Sequence, residues 1–103
     1  MNNIVVKSMR QDFSPSEFSQ LMNEAKPIFE ISTESSFFDI RIFNNLLLIH
    51  EKQYYCKDNK NRYSLDLVLE SIQNKLHKSI TLLKERIDES MCEIDYYYIF
   101  YLN

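Results

Sequence analysis

The chain of 103 residues contains no glycine and no tryptophan, only two prolines and two cysteines, and no long apolar run. Each absence excludes something. Glycine makes up roughly 7% of average usage, and it is the residue that lets backbone adopt positive φ or lie close against a ligand. Without it the G-x-G-x-x-G dinucleotide turn, the G-x-x-x-x-G-K-[ST] phosphate loop and the G-x-S-x-G nucleophile elbow cannot be built. The most apolar stretch, residues 43–49, is interrupted by Asn44 and Asn45. It falls well short of the roughly 18 residues of a membrane span. Met1-Asn2-Asn3 lacks the basic start and apolar stretch of a signal peptide, so a cytoplasmic protein with no membrane partner is expected. Cys56 and Cys92 show no C-x-x-C spacing, and His50 and His77 add no zinc pattern. Two buried thiols in a reducing compartment are expected, with no metal and no cofactor.

What is present is a folding sequence. Hydrophobic content is 45% and charged content 26%, the balance of a globule rather than a disordered tail, and the length suits one domain over residues 1–103. Ile4-Val5-Val6, running on to Met9, reads as a first strand because β-branched residues suit a pleated surface. Ser14-Pro15-Ser16-Glu17 is a capping box with a proline start, and Phe13 and Phe18 flank it as a hydrophobic staple. The helix it opens carries Phe18, Leu21, Met22 and Ala25 on one face, and Pro27 ends it.

Residues 37–43 alternate, with Phe38, Ile40 and Ile42 on one side and Asp39 and Arg41 on the other. Asn44-Asn45 predicts a two-residue hairpin turn, since asparagine is a non-glycine residue that visits positive φ. The return strand, 46–56, then sets Ile42 opposite Leu47, Ile40 opposite Ile49 and Asp39 opposite His50. After a polar loop, a stripe from Leu65 through Leu69, Ile72, Leu76, Ile80, Leu83 and Ile87 to Met91 predicts one long helix. Ile94 to Leu102 is a tyrosine-rich last strand.

The expected fold is α+β, ferredoxin-like, in the order β-α-β-β-α-β. It has a four-stranded antiparallel sheet, two helices on one face, and the first and third strands in the centre. The other face stays open, carrying Phe37, Arg41, Leu48, Tyr97, Ile99 and Tyr101 as an apolar patch in a polar frame. Such patches mark association, and Tyr and Arg are favoured anchors. A homodimer through that face or a free edge is compatible with it.

Net charge is −3, unevenly spread: −3 over residues 1–51, +4 over 52–84 and −4 over 85–95. The acidic balance disfavours a dedicated nucleic-acid binder. The leading expectation is a non-enzymatic protein-binding module, of the toxin-immunity or phage anti-defence inhibitor type. Arg41, Tyr97 and Tyr101 would meet the partner protein, and Glu85, Asp88, Glu89, Glu93 and Asp95 would steer it or mimic a nucleic-acid backbone. The alternative is an RNA- or ribosome-associated factor using Lys57, Lys60, Arg62, Lys75 and Lys78. A third reading is a small enzyme in which Asp39 orients His50 as a general base.

Leu69-Glu70, Lys75-Leu76 and Ile80, followed by Lys84 and Arg86, resemble the second helix of ribosome hibernation-promoting factors. Those have a β-α-β-β-β-α domain, and the resemblance implies binding to the small ribosomal subunit. The chain departs from that pattern in its strand after the helix, its missing glycine and its single clear hairpin before the helix. No site residue carries over.

Overall fold

The computed structural model describes residues 4–6, 13–32, 36–54 and 65–103. Their order is β1 (Ile4–Val6), α1 (Pro15–Glu24), β2 (Lys26–Ser32), β3 (Ser36–Phe43), β4 (Leu46–Tyr54), α2 (Leu65–Leu76), β5 (Ile80–Glu89) and β6 (Glu93–Leu102). The six strands form one sheet in the order β1-β5-β6-β4-β3-β2. The β1–β5 pair is parallel and every other pair antiparallel. The expected ferredoxin-like, four-stranded arrangement is therefore overturned, although α+β stands as the class. The first strand is at an edge rather than in the centre, and two further strands, β2 and β5, are present.

The start of α1 forms as its sequence dictates. Ser14 is the N-cap, and its Oγ accepts the Glu17 backbone N–H at 3.2 Å. The Phe13 and Phe18 rings stack with centroids 5.7 Å apart, closing the staple. Directly after the helix comes β2, where Pro27 suggested only an end. Proline fits there because β2 is an edge strand, whose outer N–H positions have no ladder partner. The β3–β4 hairpin has the expected register, with Ile42 on Leu47, Ile40 on Ile49 and Asp39 on His50. Asn44 takes φ 54°, the left-handed value that a two-residue turn without glycine demands.

The long helix fails at its middle: α2 stops at Leu76 and residues 80–89 are strand. Two features hid this. The helix ends on His77 at φ 56°, a position where glycine is the usual signal, and this chain has none to give. The strand that follows carries a bulge at Leu83, so the positions on the α2 side read Ile80 and Leu82, then Glu85, Ile87 and Glu89. That one-residue phase slip makes Ile80, Leu83 and Ile87 mimic helical spacing. Ile80, Lys84 and Arg86, part of the likeness to a hibernation-factor helix, thus lie on a strand.

His77 holds a conformation that costs a non-glycine residue about 1–2 kcal/mol. It is exposed, and its N–H already closes the helix by donating to the Gln73 carbonyl at 2.8 Å. His77→Gly is expected to stabilise the fold by about 1 kcal/mol. Urea denaturation checks this; a lower midpoint would mean that the left-handed turn carries no strain.

The helices cover opposite faces of the sheet. α2 seats Val68, Leu69 and Ile72 on Phe38, Ile40, Leu47, Ile49, Ile80, Leu82, Tyr98, Phe100 and Leu102. α1 seats Phe18 and Met22, with Phe13 and Ala25 at its ends, on Leu48 and Ile99, with Leu83, Leu46, Phe43 and Tyr97 around them. Alternation along β4 and β6 sends successive residues to the two sides. So Leu48 and Ile49 are both 0% exposed, each under a different helix. The open face expected for Leu48, Tyr97 and Ile99 does not exist, because α1 lies on it. Tyr101 alone of those apolar groups is classed as exposed, at 40%.

Among the described residues no helix is long and apolar enough to cross a membrane. Cys92 is exposed, against the expectation of two buried thiols, and Cys56 lies outside the described residues.

Candidate functional site

On the face beneath α1, five strands place side chains in one row: Arg86, Tyr97, His50, Asp39 and Glu30 are successive cross-strand neighbours. The next row outward sets Asp88, Asp95, Lys52 and Phe37 side by side. Charged and aromatic groups therefore gather where α1 leaves the sheet.

Two arginines hold the helix to this surface. Arg41 donates through Nε and Nη2 to the two carboxylate oxygens of Asp39, at 3.0 and 3.2 Å, and through Nη1 to the Met22 carbonyl at 2.9 Å. The Asp39 hydrogen bond raises the Arg41 pKa, against the opposing effect of burial, so the guanidinium is firmly charged. Arg86 repeats the device on the other side. Its Nε donates to Asp88 at 3.0 Å and its Nη1 to the Phe13 carbonyl at 3.1 Å. In each pair the carboxylate stands two residues along the same strand, hence on the same face. The carboxylate fixes the guanidinium fork, and the remaining N–H groups reach a carbonyl at one end of α1.

His50 lies between these clamps. Its Nε2 is 2.7 Å from Asp95 Oδ1, and its ring lies flat on Tyr97, with centroids 4.7 Å apart and planes 5° apart. The carboxylate can only accept, so Nε2 carries the proton in that bond. Lys52 Nζ stands 3.8 Å from Asp95 and 3.7 Å from Glu93. The expected Asp39–His50 pair is thus corrected. Asp39 is opposite His50 in the register, but both its oxygens serve Arg41, and Asp95 is the histidine's partner. The sequence could not show this, because it does not say that β6 lies beside β4. The one available signal was the alternation that puts Asp95 and Tyr97 on a single side.

A groove of about 250 Å³ opens between α1 and this row. Its floor is Asp39, Arg41, His50 and Tyr97; its wall is α1. Burial raises the Tyr97 pKa, with Asp95 and Asp88 adding to the effect.

Among the described residues the opposite face buries two polar side chains, Ser36 and Glu51. Glu51 is 3% exposed; it accepts from Gln53 Nε2, and the Tyr98 hydroxyl lies 3.5 Å from its Oε1. Burial first, and the Glu51 charge second, push the Tyr98 phenol far above its ordinary value. A phenol whose pKa is raised by folding stays neutral while the unfolded chain ionises. Its contribution is complete below about pH 10 and is lost as pH climbs beyond that. Stability is expected to fall above pH 10 by about 1.4 kcal/mol per pH unit for this tyrosine. Tyr98→Phe should flatten that slope in urea titrations at pH 9–11; an unaltered slope would remove Tyr98 from the account.

The structure collects the five sequence-predicted acids on one hairpin, β5–β6, yet splits them between faces. Glu85 and Glu89 point to the α2 side, and Asp88, Glu93 and Asp95 to the α1 side. The latter three are engaged by Arg86, Lys52 and His50. Arg41 and Tyr97, expected on an open surface, are in the groove. Lys75 and Lys78 are exposed at the C-terminal end of α2, whereas Lys57, Lys60 and Arg62 lie outside the described residues. Among the described residues no three of His, Cys, Asp and Glu converge as metal ligands do. No family model, curated protein or solved structure matches the chain.

Proposed function

We propose that the protein is a non-enzymatic binding module that docks a basic surface of another protein through the outer half of the β5–β6 hairpin. One observation carries this reading. Met91, in the hairpin loop, is 97% exposed, and Ile87 is 51% exposed, whereas among the other large apolar side chains of the described residues only Leu67 and Tyr101 are exposed. Glu85, Glu89 and Glu93 frame them. Apolar anchors inside a charged rim are the anatomy of an interface, and the acids speed encounter with a basic partner. An inhibitor of the toxin-immunity or anti-defence type suits a small module of this kind. Backbone mimicry rests on Glu85 and Glu89, because the other three acids are paired within the sheet.

The test places a photo-crosslinking residue at position 91, and separately at the exposed Glu70 of α2, in the native host. One protein should be captured from 91 and not from 70. Glu85→Gln with Glu89→Gln should slow its association about tenfold at low salt and leave the thermal midpoint unchanged. Capture from both positions, or an unaltered on-rate, would defeat the reading. Wild-type binding to RNA at low salt, weakening with added salt, would favour the alternative through Lys75 and Lys78.

A further inference from the structure

The groove beside α1 is built like a receptor for a small flat ligand, and nothing in the docking role of the hairpin uses it. Its size is the first constraint. At about 250 Å³ it lies just below the range of roughly 300–1,000 Å³ that takes drug-sized molecules, so its occupant is a fragment or a small metabolite.

Its walls are the second constraint. Phe18 meets Tyr97 edge-on, with centroids 5.1 Å apart, and Tyr97 stacks on His50. Phe18 is 3% exposed and braces Tyr97 from the core, so the His50–Tyr97 pair supplies the flat, rigid surface, with little freedom to lose on binding.

Charge is the third. The lining has one permanent cation and one anion, Arg41 and Asp39, and they are bonded to each other through two contacts. The permanent charges of the lining therefore cancel. The site offers no net attraction to a phosphate, a carboxylate or a polyamine.

Hydrogen-bonding capacity is the fourth. With Nε2 committed to Asp95, His50 Nδ1 makes no hydrogen bond to the described residues, and in the neutral imidazole it is an acceptor. Arg41 uses one N–H of each Nη nitrogen and keeps the other as a donor. Asn23 and Ser19, on the α1 wall, add an amide and a hydroxyl that both donate and accept. Donors and acceptors at the rim of aromatic walls match a planar ring whose edge carries both kinds of group.

We infer that this groove binds an uncharged planar heteroaromatic of nucleobase size, packed against the Tyr97–His50 rings and read along its edge by His50 Nδ1, Arg41 and Asn23. The test is NMR of isotope-labelled protein, following the His50 and Tyr97 rings and the His50 Nδ1 resonance. Adenine, cytosine and uracil are titrated as free bases and as nucleosides; inorganic phosphate, acetate and spermidine serve as comparators.

At least one base should give saturable shifts, with a dissociation constant on the order of 1 mM or tighter, and Nδ1 should move as an acceptor does when it gains a donor. Asn23→Trp and, separately, Ser19→Trp fill the groove from exposed positions of α1. Either variant that keeps the wild-type thermal midpoint should abolish the shifts. Three results would each overturn the inference: no saturable shift with any base at 10-fold that concentration, equal shifts in a folded, plugged variant, or a response to phosphate or spermidine in place of the bases.

Discussion

Leu48→Ala is expected to cost about 2–5 kcal/mol of folding stability, as much as Ile49→Ala beside it. Adjacent strand residues point to opposite faces, so in a sheet with one solvated side one of the two substitutions would be nearly silent. Here both side chains are 0% exposed. Leu48 packs with Phe18, Met22 and Ile99 beneath α1, and Ile49 packs with residues of α2 and with Phe38, Tyr98 and Phe100. Each truncation removes buried surface and leaves a cavity that its neighbours fill only in part. Urea denaturation of the two variants measures this. A Leu48→Ala penalty below about 0.5 kcal/mol would mean that α1 does not cover the sheet.

Arg41→Met combined with Arg86→Met is expected to cost about 2 kcal/mol and to loosen α1 selectively. A hydrogen bond from a charged donor to a carbonyl contributes about 1.5–3 kcal/mol when buried. Both side chains here are close to 30% exposed, so about 1 kcal/mol each is the discounted expectation. Ten residues are too few for a helix to persist by its own propensity, so α1 depends on its anchorage. Hydrogen exchange should show α1 amides losing more protection than those of α2. Equal loss over both helices, or none, would remove the clamp from the account. The same variants would open the groove wall, because Arg41 ties the carbonyl of Met22 to its floor.

Local chemistry was legible from residue order. The Ser14 cap, the Phe13–Phe18 staple, the Asn44 turn and the β3–β4 register all depend on neighbours a few positions apart or on a two-residue loop. The functional cluster was legible only in kind. His50 was recognisable as a histidine beside a carboxylate, but choosing Asp95 over Asp39 needed the position of β6. Arg86 gave no signal at all, since its role is defined by the Phe13 carbonyl, which lies far away in the chain. Glu51 in the core was equally silent.

The amino-acid order by itself settled an α+β chain with a strong first cap, a tight asparagine turn and a tyrosine-rich final strand, because those features arise from short-range sterics and hydrogen bonding. Tertiary structure alone decided that residues 80–89 are strand. A bulge at Leu83 shifts their alternation, and pairing with β6 outweighs a helical spacing that no glycine interrupts. It also decided that the two helices part to opposite faces. Alternating apolar residues on β4 and β6 leave both sides in need of cover, and only the three-dimensional course of the chain determines which helix supplies each.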